Sequence, residues 1–121
     1  MITICKKFHF DSAHHLPHYQ GRCSNLHGHR WEVEVEYTGE IQTDGPKTGM
    51  IVDFHDLEQY VHQVAISKLD HTNLNSINPN PTAELILKWI VDKIAYFSEE
   101  HTLVRVRLYE SPDSYVEWRG Y

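Results

Sequence analysis

The sequence predicts an α+β domain: an antiparallel four-stranded sheet with two helices on one face, in the order ββααββ. Three observations predict it. Trp31, Val33, Val35 and Tyr37 alternate with Glu32, Glu34 and Glu36, the period-two pattern of a strand with one apolar and one wet face. Two later segments carry apolar residues at helical spacing. These helices follow each other and are flanked by strands, so helix and strand are segregated rather than alternating. A length of 121 residues fits one domain, spanning 1–121.

The first strand is expected over 2–14. Ile2, Ile4, Phe8 and Phe10 keep the period, although Cys5-Lys6-Lys7 blurs it. A polar loop from Pro17 to Asn25 leads to the second strand, whose alternation is cleanest over 31–37. Residues 38–49 hold three glycines and a proline and read as turns. Asp53 is placed to cap a helix from Phe54, with Asp56 in its first turn and a stripe of Leu57, Tyr60, Val61, Val64, Ala65 and Leu69. Residues 70–81 are rich in Asn and Pro and read as a loop. Thr82 is the expected N-cap of a second helix to about Phe97, with apolar Leu85, Ile86, Trp89, Ile90, Ile94 and Phe97. Leu103–Tyr109 reads as the third strand, Ser111–Ser114 as a turn and Tyr115–Arg119 as the fourth strand.

Composition excludes several classes. Apolar residues are 40% and charged residues 23%, so the chain is neither disordered nor fibrous. No apolar run is long enough to span a membrane. A net charge of −6 argues against a nucleic-acid partner. Two cysteines, Cys5 and Cys23, are too few for a disulfide scaffold. Met1–Phe10 lacks the apolar core of an export signal, and a cytoplasmic protein with reduced thiols is expected. A domain this small buries a limited share of its surface, which favours oligomers.

Six of the ten histidines lie within the first 29 residues. His27 and His29 flank Gly28 at the start of the second strand. Side chains two apart share one strand face, so both imidazoles can converge on a metal ion. A third imidazole is available at the end of the first strand, from His14 or His15. Three histidines with one open position form a catalytic zinc site. Cys23 is either a fourth ligand, closing a structural site, or a nucleophile or base beside the metal. Asp70-His71 is a carboxylate–imidazole pair suited to acid/base chemistry, although adjacent side chains usually diverge. Read alone, Glu110 is an exposed strand-end acid, and Glu84 is explained by the helix dipole. His9, His18, His55, His62 and His101 have no comparable context.

The chain resembles the 6-pyruvoyl-tetrahydropterin synthase family. The resemblance rests on Phe10-Asp11-Ser12-Ala13-His14 with Leu16-Pro17, on Cys23-Ser24-Asn25-Leu26-His27-Gly28-His29, and on Val52-Asp53-Phe54. It continues through Leu69-Asp70-His71, Asn80-Pro81-Thr82-Ala83-Glu84 and Tyr109-Glu110-Ser111. Three residues separate Cys23 from His27, a gap similar to that of the carboxy-tetrahydropterin branch; the pyruvoyl-forming branch has a longer one. Ser12 stands where alanine is more usual, a difference expected to have no consequence.

The resemblance implies a T-fold, whose ββααββ subunits join their sheets into a barrel. It implies a homohexamer, a dimer of trimers, with active sites between subunits. It implies zinc on His14, His27 and His29, and 7,8-dihydroneopterin triphosphate as substrate. Cys23 would take the proton at the first side-chain carbon, and His71, polarised by Asp70, would be its acid/base partner. Glu110 would anchor the amino-pyrimidine edge and join the relay; Thr82 and Glu84 would line the pocket. The products would be 6-carboxy-tetrahydropterin, acetaldehyde and triphosphate, an early step towards 7-deazapurines such as queuosine. Lys6, Lys7, Arg22 and Arg30 are the cations available for the triphosphate. A pyruvoyl-forming enzyme and a non-catalytic structural zinc module are the competing readings.

Overall fold

The computed structural model describes residues 1–120. Four long strands form an antiparallel sheet: β1 (Thr3–His14), β2 (His27–Gly39), β4 (His101–Ser111) and β5 (Ser114–Arg119). A two-residue strand, β3 (Thr72–Asn73), adds in parallel to the outer side of β1, so the order is β3-β1-β2-β4-β5. This fifth strand was not expected. It comes from a polar loop with no alternation to announce it, and backbone pairing alone makes it.

Both helices pack on one face. The first runs through Phe54–Val61, widens into a π-helical segment at His62–Ile66, and ends in the turn Ser67–Leu69. Asp53 caps it by accepting from the His55 N–H at 2.8 Å. The second helix, Ala83–Ile94, is capped by Thr82, which accepts from the Leu85 N–H at 3.2 Å. It stops short of Phe97, which packs beside Tyr37 and Tyr60.

The core lies between helices and sheet. Phe10, Trp31, Val33, Val35, Tyr37 and Leu108 supply the sheet side; Leu57, Leu69, Ile86, Ile90 and Ile94 supply the helix side. Phe10 stacks on Trp31 with centroids 5.8 Å apart. Register does the positional work. With Phe10 opposite Trp31, Ser12 falls opposite His29 and His14 opposite His27. A one-residue slip would move every one of these side chains to the other face.

The opposite sheet face is less wet than its glutamates imply. Arg105 reaches Glu36 at 2.7 Å, Glu34 at 3.2 Å and Glu117 at 3.3 Å. Arg107 and Arg119 add contacts to Glu117 at 2.7 and 2.6 Å. These alternating charges on neighbouring strands neutralise one another and cover Glu34.

Candidate active site

His14, His27 and His29 sit at the end of the β1–β2 pair, on the core-side face, as a continuation of the Phe10–Trp31 layer. His14 is fully buried. Its ring centroid lies 4.6 Å from that of His27 and 5.2 Å from that of His29; His27 and His29 are 4.7 Å apart. Trp31 packs edge-on against His14 and His29.

Hydrogen bonds select the tautomers. His14 Nδ1 is 2.8 Å from the Pro81 carbonyl, and His27 Nδ1 is 2.7 Å from the Asn25 carbonyl. A carbonyl only accepts, so each Nδ1 carries the proton and each Nε2 presents a lone pair. The Nε2 atoms of His14, His27 and His29 are buried without a hydrogen-bond partner. Burial lowers the pKa of His14 and of His29, so neutral rings are favoured. Three converging imidazole nitrogens, buried without a hydrogen-bond partner, are a donor set that fits a divalent ion such as zinc, with ring orientation held from the far nitrogen in two of the three. Thr82 contributes indirectly: its cap starts the second helix just after Pro81, whose carbonyl orients His14.

Glu110, at the end of β4, brings Oε1 to 3.7 Å from His14 Nε2 and 3.5 Å from His29 Nε2. Its carboxylate therefore faces the same point as the three nitrogens. Beside it opens a cleft of about 470 Å³, lined in part by Lys7, His9, His29, Arg30, Tyr109 and Glu110. Of the four cations considered for a triphosphate, Lys7 and Arg30 border this cleft. Lys6 instead points to the helix side, 3.7 Å from Glu58, and Arg22 lies exposed in a turn.

Asp70 and His71 pair despite being neighbours, with His71 Nδ1 3.0 Å from Asp70 Oδ2. The backbone makes this possible: His71 adopts φ of 57°, the left-handed region that histidine enters more readily than most residues. The Asp11 N–H donates to Asp70 Oδ1 at 2.9 Å and is the main reason its carboxyl is held below the usual range. Ser12, expected to be inconsequential, donates its hydroxyl to the Leu69 carbonyl and ties the residue before Asp70 to β1.

Cys23 occupies a short 3-10 turn, Arg22–Ser24, half-buried, with its carbonyl accepting from the Leu16 N–H at 2.7 Å. Among the described residues its thiol joins neither cluster. Glu84 is exposed on the second helix, beside a different cleft that includes Lys88, Asp92 and Trp118. The chain thus brings His14, His27, His29 and Glu110 together and pairs Asp70 with His71. It leaves Cys23 and Glu84 apart from both. Sequence reasoning missed Asp11 as the residue behind the Asp70–His71 pair. Its one visible signal is an acid on β1 with a base, Arg30, on β2 near the histidine motifs.

A histidine-based site at the end of a helix-backed antiparallel sheet is the architecture of a T-fold enzyme. Residues 3–121 match the family model described as 6-pyruvoyl tetrahydropterin synthase, and the chain belongs to that family. It is similar to 6-carboxy-5,6,7,8-tetrahydropterin synthase of Haemophilus influenzae, 32% identical over 98% of this chain and 99% of that one. The enzyme of the same name from Synechocystis is 39% identical over 78% of this chain and 75% of its own. Among solved structures, the 6-pyruvoyl tetrahydropterin synthase of Caenorhabditis elegans superposes with a TM-score of 0.82 at 23% identity, covering 99% of this chain and 96% of that chain, a likeness of fold.

Proposed function

We propose that this protein is a zinc-dependent lyase that converts 7,8-dihydroneopterin triphosphate and one water to 6-carboxy-5,6,7,8-tetrahydropterin, releasing acetaldehyde and triphosphate. The observation that carries the reading is the convergence of three buried, unpartnered Nε2 atoms with Glu110 at the mouth of a cleft. The curated relatives of that name support the choice of product.

His14, His27 and His29 would hold the ion, which when bound supplies Lewis acidity at the substrate's side-chain oxygens. The residues of the chain do the rest. Glu110, ionised, accepts hydrogen bonds from the amino-pyrimidine edge of the pterin, a charge-assisted anchor that fixes orientation. Cys23 as thiolate removes the proton from the first side-chain carbon. His71, its Nδ1 held by Asp70, moves protons at its Nε2. Electrons released at the side chain enter the ring imine, so no nicotinamide is required. Lys7 and Arg30 border the cleft and are the cations on hand there for a triphosphate. Thr82 and Glu84 complete the pocket in the assembled protein.

Cys23 stands apart from the Asp70–His71 pair within one chain, which favours a site assembled between subunits. The open strand edges at β3 and β5 favour sheets joined edge to edge into a barrel, and a homohexamer as dimer of trimers. In the cell the product would feed 7-deazapurine synthesis, with queuosine as the end point, in the cytoplasm.

Anaerobic incubation of zinc-loaded protein with 7,8-dihydroneopterin triphosphate, read by mass spectrometry, tests the proposal. Formation of 6-carboxy-tetrahydropterin with acetaldehyde is expected. Formation of 6-pyruvoyl-tetrahydropterin would keep the site and overturn the product. No turnover by zinc-loaded protein would favour a structural zinc module.

A further inference from the structure

We propose that Arg30 is a positioning residue for the Asp70–His71 pair: it holds the Asp11 carboxylate away from the imidazole and so keeps His71 on Asp70. The proposal rests on the catalytic reading of that pair. His71 needs outside help. Within one chain its side chain is 79% exposed and its backbone sits at positive φ, so the chain itself orients the ring mainly through polar contacts. Both members of the pair instead hang on Asp11 of β1. The Asp11 N–H donates to Asp70 Oδ1 at 2.9 Å, and the Asp11 carbonyl accepts from the His71 N–H at 2.7 Å.

That anchorage brings a second carboxylate with it. Side-chain oxygens of Asp11 and Asp70 and a ring nitrogen of His71 all lie within 4.8 Å of one another. Two acids therefore compete for one imidazole, and in the structure Nδ1 faces Asp70 Oδ2 at 3.0 Å. Arg30 decides the competition. It is the direct cross-strand partner of Asp11 on β2. Its Nε donates to Asp11 Oδ1 at 3.0 Å and its terminal nitrogen to Oδ2 at 3.1 Å, a bidentate grip that occupies both oxygens. The pair lies one register step from Ser12 and His29, so the grip also ties the dyad to the strands that carry the histidine cluster. As a surface ion pair it contributes little to stability. As a restraint on an acid/base group it has leverage, because a misplacement of about 1 Å can cost about 100-fold in rate.

The test compares wild type, Arg30→Met and Arg30→Met/Asp11→Asn. The first readout is the ring ¹⁵N spectrum of His71 in unliganded protein, assigned by loss of its signals in His71→Gln. The second is kcat and KM. The expected result is a displaced or broadened His71 ring signal in Arg30→Met, with kcat down about tenfold and KM within about twofold. Asp11→Asn in that background removes the competing charge and restores both the ring signal and most of kcat. An unchanged ring signal and kcat in Arg30→Met overturns the proposal. So does a loss that Asp11→Asn fails to restore. A loss confined to KM, absent when competitive binding of dephosphorylated 7,8-dihydroneopterin is measured, also overturns it and makes Arg30 a phosphate contact. If wild type shows no turnover, the functional reading fails, while the ring spectra still decide the positioning claim.

Discussion

Stripping zinc from the proposed site would leave three buried imidazole nitrogens without a partner, and the size of the effect follows from the structure. Each unsatisfied buried acceptor costs about 1–3 kcal/mol, yet most of the core lies away from the three histidines: Leu57, Ile86, Ile90, Ile94 and Leu108 pack between helices and sheet. The chelated protein therefore stays folded and melts earlier. Zinc at 100 times its Kd contributes about 2.7 kcal/mol. At about 2.1 cal/mol/K per residue, the chain has an unfolding entropy of about 0.25 kcal/mol/K, so Tm rises by about 10 °C. Calorimetry with chelator and with zinc, at one protein concentration, measures this directly. His14→Ala abolishes the zinc response and itself lowers Tm, because it empties a fully buried site and leaves the Pro81 carbonyl unpaired. Equal melting with and without zinc would refute the metal site. Unfolding on chelation at 25 °C would refute an open catalytic site in favour of a closed structural one.

Three further outcomes are expected. Cys23→Ala is expected to keep zinc, by metal analysis, and to lose at least about 100-fold in turnover, since among the described residues its thiol joins neither cluster and its proposed role is that of the base. Thr82→Ala lowers stability by about 1 kcal/mol through loss of the helix cap, measured by urea denaturation, and also weakens zinc because Pro81 is displaced. Glu117 is held at about 2, chiefly by the Arg107 hydrogen bond with Arg119 and Arg105 behind it. Its folded pKa is depressed, so its stabilisation is present above about pH 4.5 and is lost as pH falls towards 2. Solvent screening at Arg119 limits it to about 1 kcal/mol. A Glu117→Gln variant should show a correspondingly flatter acid stability curve; an identical curve would contradict the role of the arginine network.

Much of this architecture is legible in the chain because period-two alternation is strong where it matters. Trp31–Tyr37 fixes which face of β2 is buried, and the same face carries His29 and His27 outward past the core. The third ligand is harder. Choosing His14 over His15 depends on the period of β1 holding past Phe10 to the strand's end, where the apolar signal has stopped; the resemblance selects His14 by its motif, and the register places it opposite His27. Lys6 obscures β1 because it lies on the helix-facing side and reaches Glu58 with its charged end, so the strand continues where the apolar signal lapses. The π-helical segment at His62–Ile66 and the strand Thr72–Asn73 leave no signature, since both arise from backbone bonding in a tertiary setting. Asp11 escapes for the same reason: two of its three anchoring contacts use main-chain atoms, which no side-chain motif records.

X-ray absorption at the zinc edge of the loaded, substrate-free protein reads the metal ligands themselves and so decides between an open and a closed centre. An open centre held by His14, His27 and His29 gives three imidazole nitrogens at about 2.0–2.1 Å, a light atom in the remaining position and no sulfur, with the imidazole signal lost in His14→Ala. A sulfur shell at about 2.3 Å would place Cys23 on the metal, close the site and contradict the catalytic account.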